Sequence, residues 1–211
     1  MVKFIYFIMT LLGGLNNLDS NFYYEEIPLN VQNEMINVSY FENDEISFDD
    51  LVLVHILYIG FDKVEHKGEL VVNKKIADDI LDIFKRLYLN KYEIEKVERI
   101  DKYNGDDYLS MESNNTSAFN YRYIENTNQL SNHAYGLAID INPFYNPYVY
   151  EHNNTLIVSP KSAFKYADRN KNFKHKIDRN DLAYKEFIKH GFTWGGDWTY
   201  KKDYQHFEKI I

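Results

Sequence analysis

The chain of 211 residues contains no cysteine. That excludes disulfides, thiolate metal sites and a cysteine nucleophile together, so any metal must be held by nitrogen and oxygen. Positive charge is in deficit. Lys and Arg number 24 against 32 Asp and Glu, a formal net charge of −8. No basic block stands out, which argues against a nucleic-acid partner. An anionic substrate would have to be held by a local cation or a metal. A run of 18 apolar residues is also missing, so the chain has no ordinary membrane span. No internal repeat appears.

What is present is enough apolar material for one core, in a chain too short for two large domains. Lys3 is followed by an apolar run from Phe4 to Leu12, which resembles a secretory signal peptide. Gly13, Gly14 and Ser20 are small, but no Ala-x-Ala cleavage site follows. Residues 1–20 are therefore expected to be a signal peptide or N-terminal anchor. The protein is then secreted or held at the cell envelope, with no stable membrane span after processing. Residues 21–46 are rich in Asn, Asp and Glu and read as a polar arm of weak order. The folded domain is expected to run from 47 to 211.

Within that domain Leu51 to Ile59 is a β-rich run, and Glu69 to Val72 is a second after Gly68. Asn73 is placed to cap a helix over residues 74–89, where Ile76, Ile80, Ile83, Phe84 and Leu87 recur at helical spacing. Residues 92–100 alternate like a strand. Residues 101–130 are polar, with turn signals at Asn104-Gly105 and Asn114-Asn115, and read as a long surface loop. Ala138 to Ile141 is a short buried strand. Asp178 or Asn180 can cap a helix through Tyr184, Phe187 and Ile188 that Gly191 ends. Residues 192–194 and 205–210 read as closing strands.

Two segments about seventy residues apart carry the chemistry. The first contains Ser131, His133, Gly136, Ala138, Asp140 and Ile141; the second is Trp194-Gly195-Gly196-Asp197-Trp198 followed by Asp203 and His206. His133 and Asp140 are seven apart. Gly136 and the β-branched Ile139 and Ile141 argue against a helix, and on one straight strand the two would face opposite ways. The chain must turn between them, and Gly136 permits it. His133 then lies in the turn and Asp140 on the following strand. By the same parity, Asp203 belongs in a loop entering the strand that carries His206. Two imidazoles and a carboxylate, with a spare carboxylate close by, are what a hydrolytic zinc site requires. The other five histidines, taken singly, read as surface or core residues.

The joint pattern Ser131-x-His133-x-x-Gly136-x-Ala138-x-Asp140-Ile141 with Asp203-x-x-His206 resembles the M15 family of zinc peptidases. That family includes VanY-type D-alanyl-D-alanine carboxypeptidases and L-alanyl-D-glutamate endopeptidases. The likeness extends to residues 114–122 and to the Trp-Gly-Gly-Asp-Trp segment. It implies that His133, Asp140 and His206 bind Zn²⁺, that Asp203 is the general base, and that Arg122 is the active-site arginine. It also implies an α+β fold of the hedgehog/DD-peptidase type, with a small antiparallel sheet and packed helices. The expected activity is hydrolysis of peptidoglycan stem peptides by a monomer. Asp203 and the Gly-Gly-Asp-Trp segment resemble the endopeptidase branch, which points to the L-Ala–D-Glu bond. The alternatives are a D-Ala-D-Ala carboxypeptidase with the same site and a non-catalytic module that binds wall peptides.

Overall fold

A computed structural model describes residues 18–125 and 127–211. The apolar run over residues 4–12, and residues 1–17 of the expected signal peptide, lie outside them; Leu18 is described and packs against the main core.

Three strands open the fold: β1 (Tyr23–Glu26), β2 (Leu51–Ile59) and β3 (Glu65–Asn73), antiparallel with β2 in the centre. β2 is apolar at nearly every position. Side chains alternate between the faces of a strand, so such a run must be covered on both sides. Val52, Val54 and Ile56 join the main core. Leu51 and Leu53 face a second, smaller core with Ile27, Val31, Met35, Ile46, Val71 and Phe119.

That second core corrects the expectation of a weakly ordered arm. Residues 23–26 are β1, and Leu29–Met35 form the helix α1. Val31 and Met35 stand four apart on one stripe of α1, and with Ile27 just before the helix they cover the far face of β2. Polar composition hid this, because the other positions of the segment face solvent.

The helix expected over 74–89 is present. Residues Lys74–Ile76 form a 3-10 turn, with the Asn73 side chain accepting from the Lys75 N–H, and the α-helix α2 spans Ala77–Leu89. Ile76, Ile80, Ile83, Phe84 and Leu87 are all buried.

Between 92 and 130 the reading needs correction twice. Only Lys96–Val97 (β4) is a strand, parallel to Asn115–Thr116 (β5). Elsewhere side-chain amides take the backbone groups a ladder would have used: Asn142 Oδ1 accepts from the Glu95 N–H and Asn115 Oδ1 from that of Glu98. The expected surface loop holds a short helix, α3 (Asp107–Glu112), and a buried stretch from Asn114 to Asn120. Ser117 forms an antiparallel bridge with Asp140, which brings this stretch to the site.

Two small antiparallel sheets complete the fold. One has β11 (His206–Glu208) between β6 (Ala138–Asp140) and β9 (Thr193–Trp194). The other has β7 (Tyr148–His152) between β8 (Thr155–Ser159) and β10 (Lys201–Asp203). The helix α4 (Leu182–Lys189) is capped by Asp181, whose carboxylate accepts from the N–H groups of Ala183 and Tyr184, rather than by Asp178 or Asn180. Gly191 follows its end at φ +83. The whole is the expected α+β class, with small antiparallel sheets and few helices. No helix among the described residues is long and apolar enough to cross a membrane.

Candidate metal centre

Strand register sets the site. β6 and β11 pair so that His206 stands directly across from Asp140. His133 arrives from a 3-10 turn over Asn132–Tyr135, capped by the Ser131 hydroxyl. Gly136 then reverses the chain at φ +66. A side chain there would be strained and would sit 2.6 Å from the Asn73 nitrogen, which hydrogen-bonds the Gly136 carbonyl. The turn between His133 and Asp140 therefore lies where parity requires it. Asp203 departs slightly from expectation: it ends strand β10, and the chain turns at residues 204–205 before His206.

His133, Asp140 and His206 are all buried, and one ligand atom from each lies within 4.8 Å of the others. His133 Nε2 is 3.1 Å from His206 Nδ1. The Asp140 carboxylate is 3.0 Å from His206 Nδ1 through Oδ1 and 3.3 Å from His133 Nε2 through Oδ2. Ligands on a tetrahedral zinc with bonds of about 2.0–2.1 Å stand roughly 3.3 Å apart, so the spacing fits.

Proton positions make the fit chemical as well as geometric. His133 Nδ1 is 2.6 Å from the Ala118 carbonyl, which can only accept. The proton therefore sits on Nδ1, and Nε2 offers a lone pair to the centre. His206 Nε2 is 3.1 Å from Glu208, which in turn accepts from the Asn132 amide. With that proton directed outward, Nδ1 also faces inward as an acceptor. Two lone pairs and a carboxylate then meet with nothing positive between them unless a cation or an added proton is there. Outer partners of this kind fix metal-ligating histidines and raise their basicity. Glu208→Gln is expected to weaken zinc binding about 10- to 100-fold. Competition with a chromophoric chelator measures this, and an unchanged affinity would count against the role.

Without metal, a proton takes the cation's place. Burial works against charging His206, but its contacts with Asp140 and Glu208 outweigh it and raise the imidazole to about 10. Burial also opposes ionisation of Asp140, yet His133 and His206 hold its carboxyl well below the usual range. Burial first, and the Asp140 charge second, push Asp203 up to about 7. His206 and Asp203 thus bind protons more tightly folded than unfolded. Their stabilising contribution is complete below the unfolded values of 6.5 and 3.8 and is lost as pH rises through the folded ones. Metal-stripped protein should melt at progressively lower temperature from pH 7 to pH 10, and zinc should remove most of that slope. A pH-independent melting temperature in the stripped protein would contradict the proton assignment.

Asp203 stands beside this trio. Its Oδ1 is shielded from solvent and has no hydrogen-bond partner. Space for it depends on Gly195: a Cβ there would lie 2.6 Å from the Asp203 carbonyl oxygen and 2.7 Å from its Cβ. Trp194 donates its indole N–H to the Tyr204 carbonyl and so pins the turn between Asp203 and His206. The Trp198 ring lies 5.3 Å from that of His206. Arg122 is less directly placed. Its carbonyl accepts from the Ser131 N–H, which aligns it with the His133 segment, but its guanidinium pairs with Asp107 at 3.0 Å.

Sequence reasoning missed three contributors: Glu208, Asn132 and the Ala118 carbonyl. Glu208 had a signal, since two residues beyond His206 on a strand is the same face. The Ala118 carbonyl had none, because it depends on the bridge between Ser117 and Asp140.

Residues 125–209 match the family model described as D-alanyl-D-alanine carboxypeptidase, of the M15 peptidases. The matched stretch holds His133, Asp140, Asp203 and His206; Arg122 falls just outside it. No curated protein and no solved structure matches the chain. Over residues 125–209 the chain is therefore similar to the M15 peptidases, hydrolases that act on peptides.

Proposed function

We propose that this protein is a zinc-dependent peptidase that cuts peptidoglycan stem peptides at the L-Ala–D-Glu bond. The observation that carries the reading is the convergence of His133 Nε2, His206 Nδ1 and the Asp140 carboxylate, with both imidazole protons directed outward. These three residues would hold the metal. Bound zinc supplies Lewis acidity and lowers the pKa of water at the site. Asp203 accepts the proton of the attacking water and returns it to the leaving amine. Arg122 is assigned to the developing oxyanion by resemblance, which requires its guanidinium to leave or share Asp107.

The choice of bond rests on the resemblance of Asp203 and Trp194-Gly195-Gly196-Asp197-Trp198 to the endopeptidase branch. It is supported by an arginine that is engaged elsewhere. Arg169 is held by the Tyr145 and Ile177 carbonyls and by Asn146 Oδ1, and Arg179 pairs with Asp197. Arg169 is thereby committed to the fold and is not free to close a pocket on a terminal carboxylate, whereas Arg179 is largely exposed and held only by a surface ion pair. The family description favours a second reading, removal of the terminal D-Ala. Mass spectrometry of a digested stem pentapeptide distinguishes them. A cut after L-Ala is expected; free D-Ala as the only product would establish the second reading.

Export to the cell envelope is part of the proposal and rests on Lys3 and the apolar run after it. N-terminal sequencing of secreted protein should find a start before Phe22, which is buried in the core. Full-length chain retained in the cytosol would refute export.

A further inference from the structure

The face of the β10–β7 pair that carries Asp203 also carries a cation. Lys201 and Asp203 are two apart on β10, and they stand across from Tyr150 and Tyr148 of β7. The Tyr148 and Tyr150 rings lie 5.4 Å apart on that face. Lys201 Nζ sits 5.0 Å from the centre of the Trp198 ring and 5.9 Å from that of Tyr148. Both distances are within cation–π reach. The Trp198 indole is in turn the ring beside His206. One indole therefore separates the ammonium from the metal centre, on the side where Asp203 lies.

Lys201 is half-buried, and no carboxylate of the described residues pairs with it. Lys174, Lys176, Lys189 and Lys209 by contrast have acidic partners. Two aromatic faces hold the charge in place while leaving its hydrogen-bonding capacity unspent. A substrate carboxylate is the group that would use it, since a charge-assisted hydrogen bond forms best to a donor already positioned and partly desolvated.

We propose that Lys201 is a specificity-determining residue that docks the carboxylate borne by the residue whose amine leaves. This rests on the peptidase reading above. The chemistry is common to both candidate bonds. In L-Ala–γ-D-Glu the α-carboxylate of D-Glu is attached to the carbon bearing the scissile nitrogen, and in D-Ala-D-Ala the terminal carboxylate occupies the same place. The inference therefore predicts a preference for a free carboxylate over its amide, as in a stem carrying D-isoglutamine.

The test uses two pairs of peptides with zinc-loaded full-length protein. One pair contains L-Ala–γ-D-Glu with the α-carboxylate free or amidated; the other ends in D-Ala-D-Ala, free or amidated. For whichever pair is cleaved, wild type should favour the free acid about 10- to 100-fold in kcat/KM, mainly through KM. Lys201→Met should lose most of that preference by raising KM on the free acid, and Lys201→Arg should restore part of it. Equal losses on acid and amide would mean a structural role and overturn the proposal, as would a preference unchanged in Lys201→Met. Calorimetry on the Asp203→Asn protein gives the same comparison without turnover. Lys201-dependent binding of the acid by a wild type that cleaves neither pair would uphold this inference and overturn the peptidase. Cleavage with no discrimination would do the reverse.

Discussion

Asp203→Asn is expected to lower turnover of a stem peptide about 10²–10⁴-fold while zinc stays near one per chain. The amide matches the carboxylate in volume, so it should keep the close packing against Gly195. It cannot accept a proton from water at neutral pH. In the native protein the Asp203 Oδ1 is shielded and unpartnered, an arrangement that costs stability unless another molecule fills it. Asparagine removes the charge that Asp140 opposes, so this variant should be no less stable than wild type in the metal-free state. Steady-state hydrolysis, metal content and melting temperature separate these effects. Near wild-type hydrolysis would reassign the base; Asp197, the nearby alternative in sequence, is tied to Arg179.

Removing a ligand should be more severe. His206→Ala is expected to abolish both zinc retention and measurable turnover, because two protein ligands do not hold the ion against a chelator. It also strips the buried Asp140 and the half-buried Glu208 of a shared partner. Breaking a buried ion pair from one side typically costs about 3–5 kcal/mol, so a lower melting temperature is expected alongside the lost activity. Asp140→Asn keeps volume and both imidazoles while removing the anionic ligand. It should lose zinc with a smaller change in melting temperature. If Asp140→Asn bound zinc and turned over normally, the ligand set would be wrong even though the three side chains meet.

Much of this site was legible before any coordinates. The turn at Gly136 followed from parity, and the placement of His133 in a turn with Asp140 on a strand followed from it. The amphipathic helix of residues 77–89 was legible because its stripe is long and regular. What stayed hidden had physical causes. α1 was masked by composition, since only one stripe of a short polar helix needs to be apolar. The buried stretch from Asn114 to Asn120 read as a loop because its polar side chains satisfy backbone groups instead of facing water; Asn114 Oδ1, for example, accepts from the Phe144 N–H. Its function in the site is a carbonyl, and backbone atoms leave no mark in a sequence. Lys201 was invisible for another reason: one lysine among many gains meaning only from the rings it rests on.

The most direct measurement is a zinc titration of metal-stripped protein while hydrolysis of an L-Ala–γ-D-Glu stem peptide is followed. The account predicts no turnover at the start, a linear rise, and a plateau at about one zinc per chain. Undiminished hydrolysis by the stripped protein, or a plateau unrelated to one equivalent, would contradict a zinc peptidase centred on His133, Asp140 and His206.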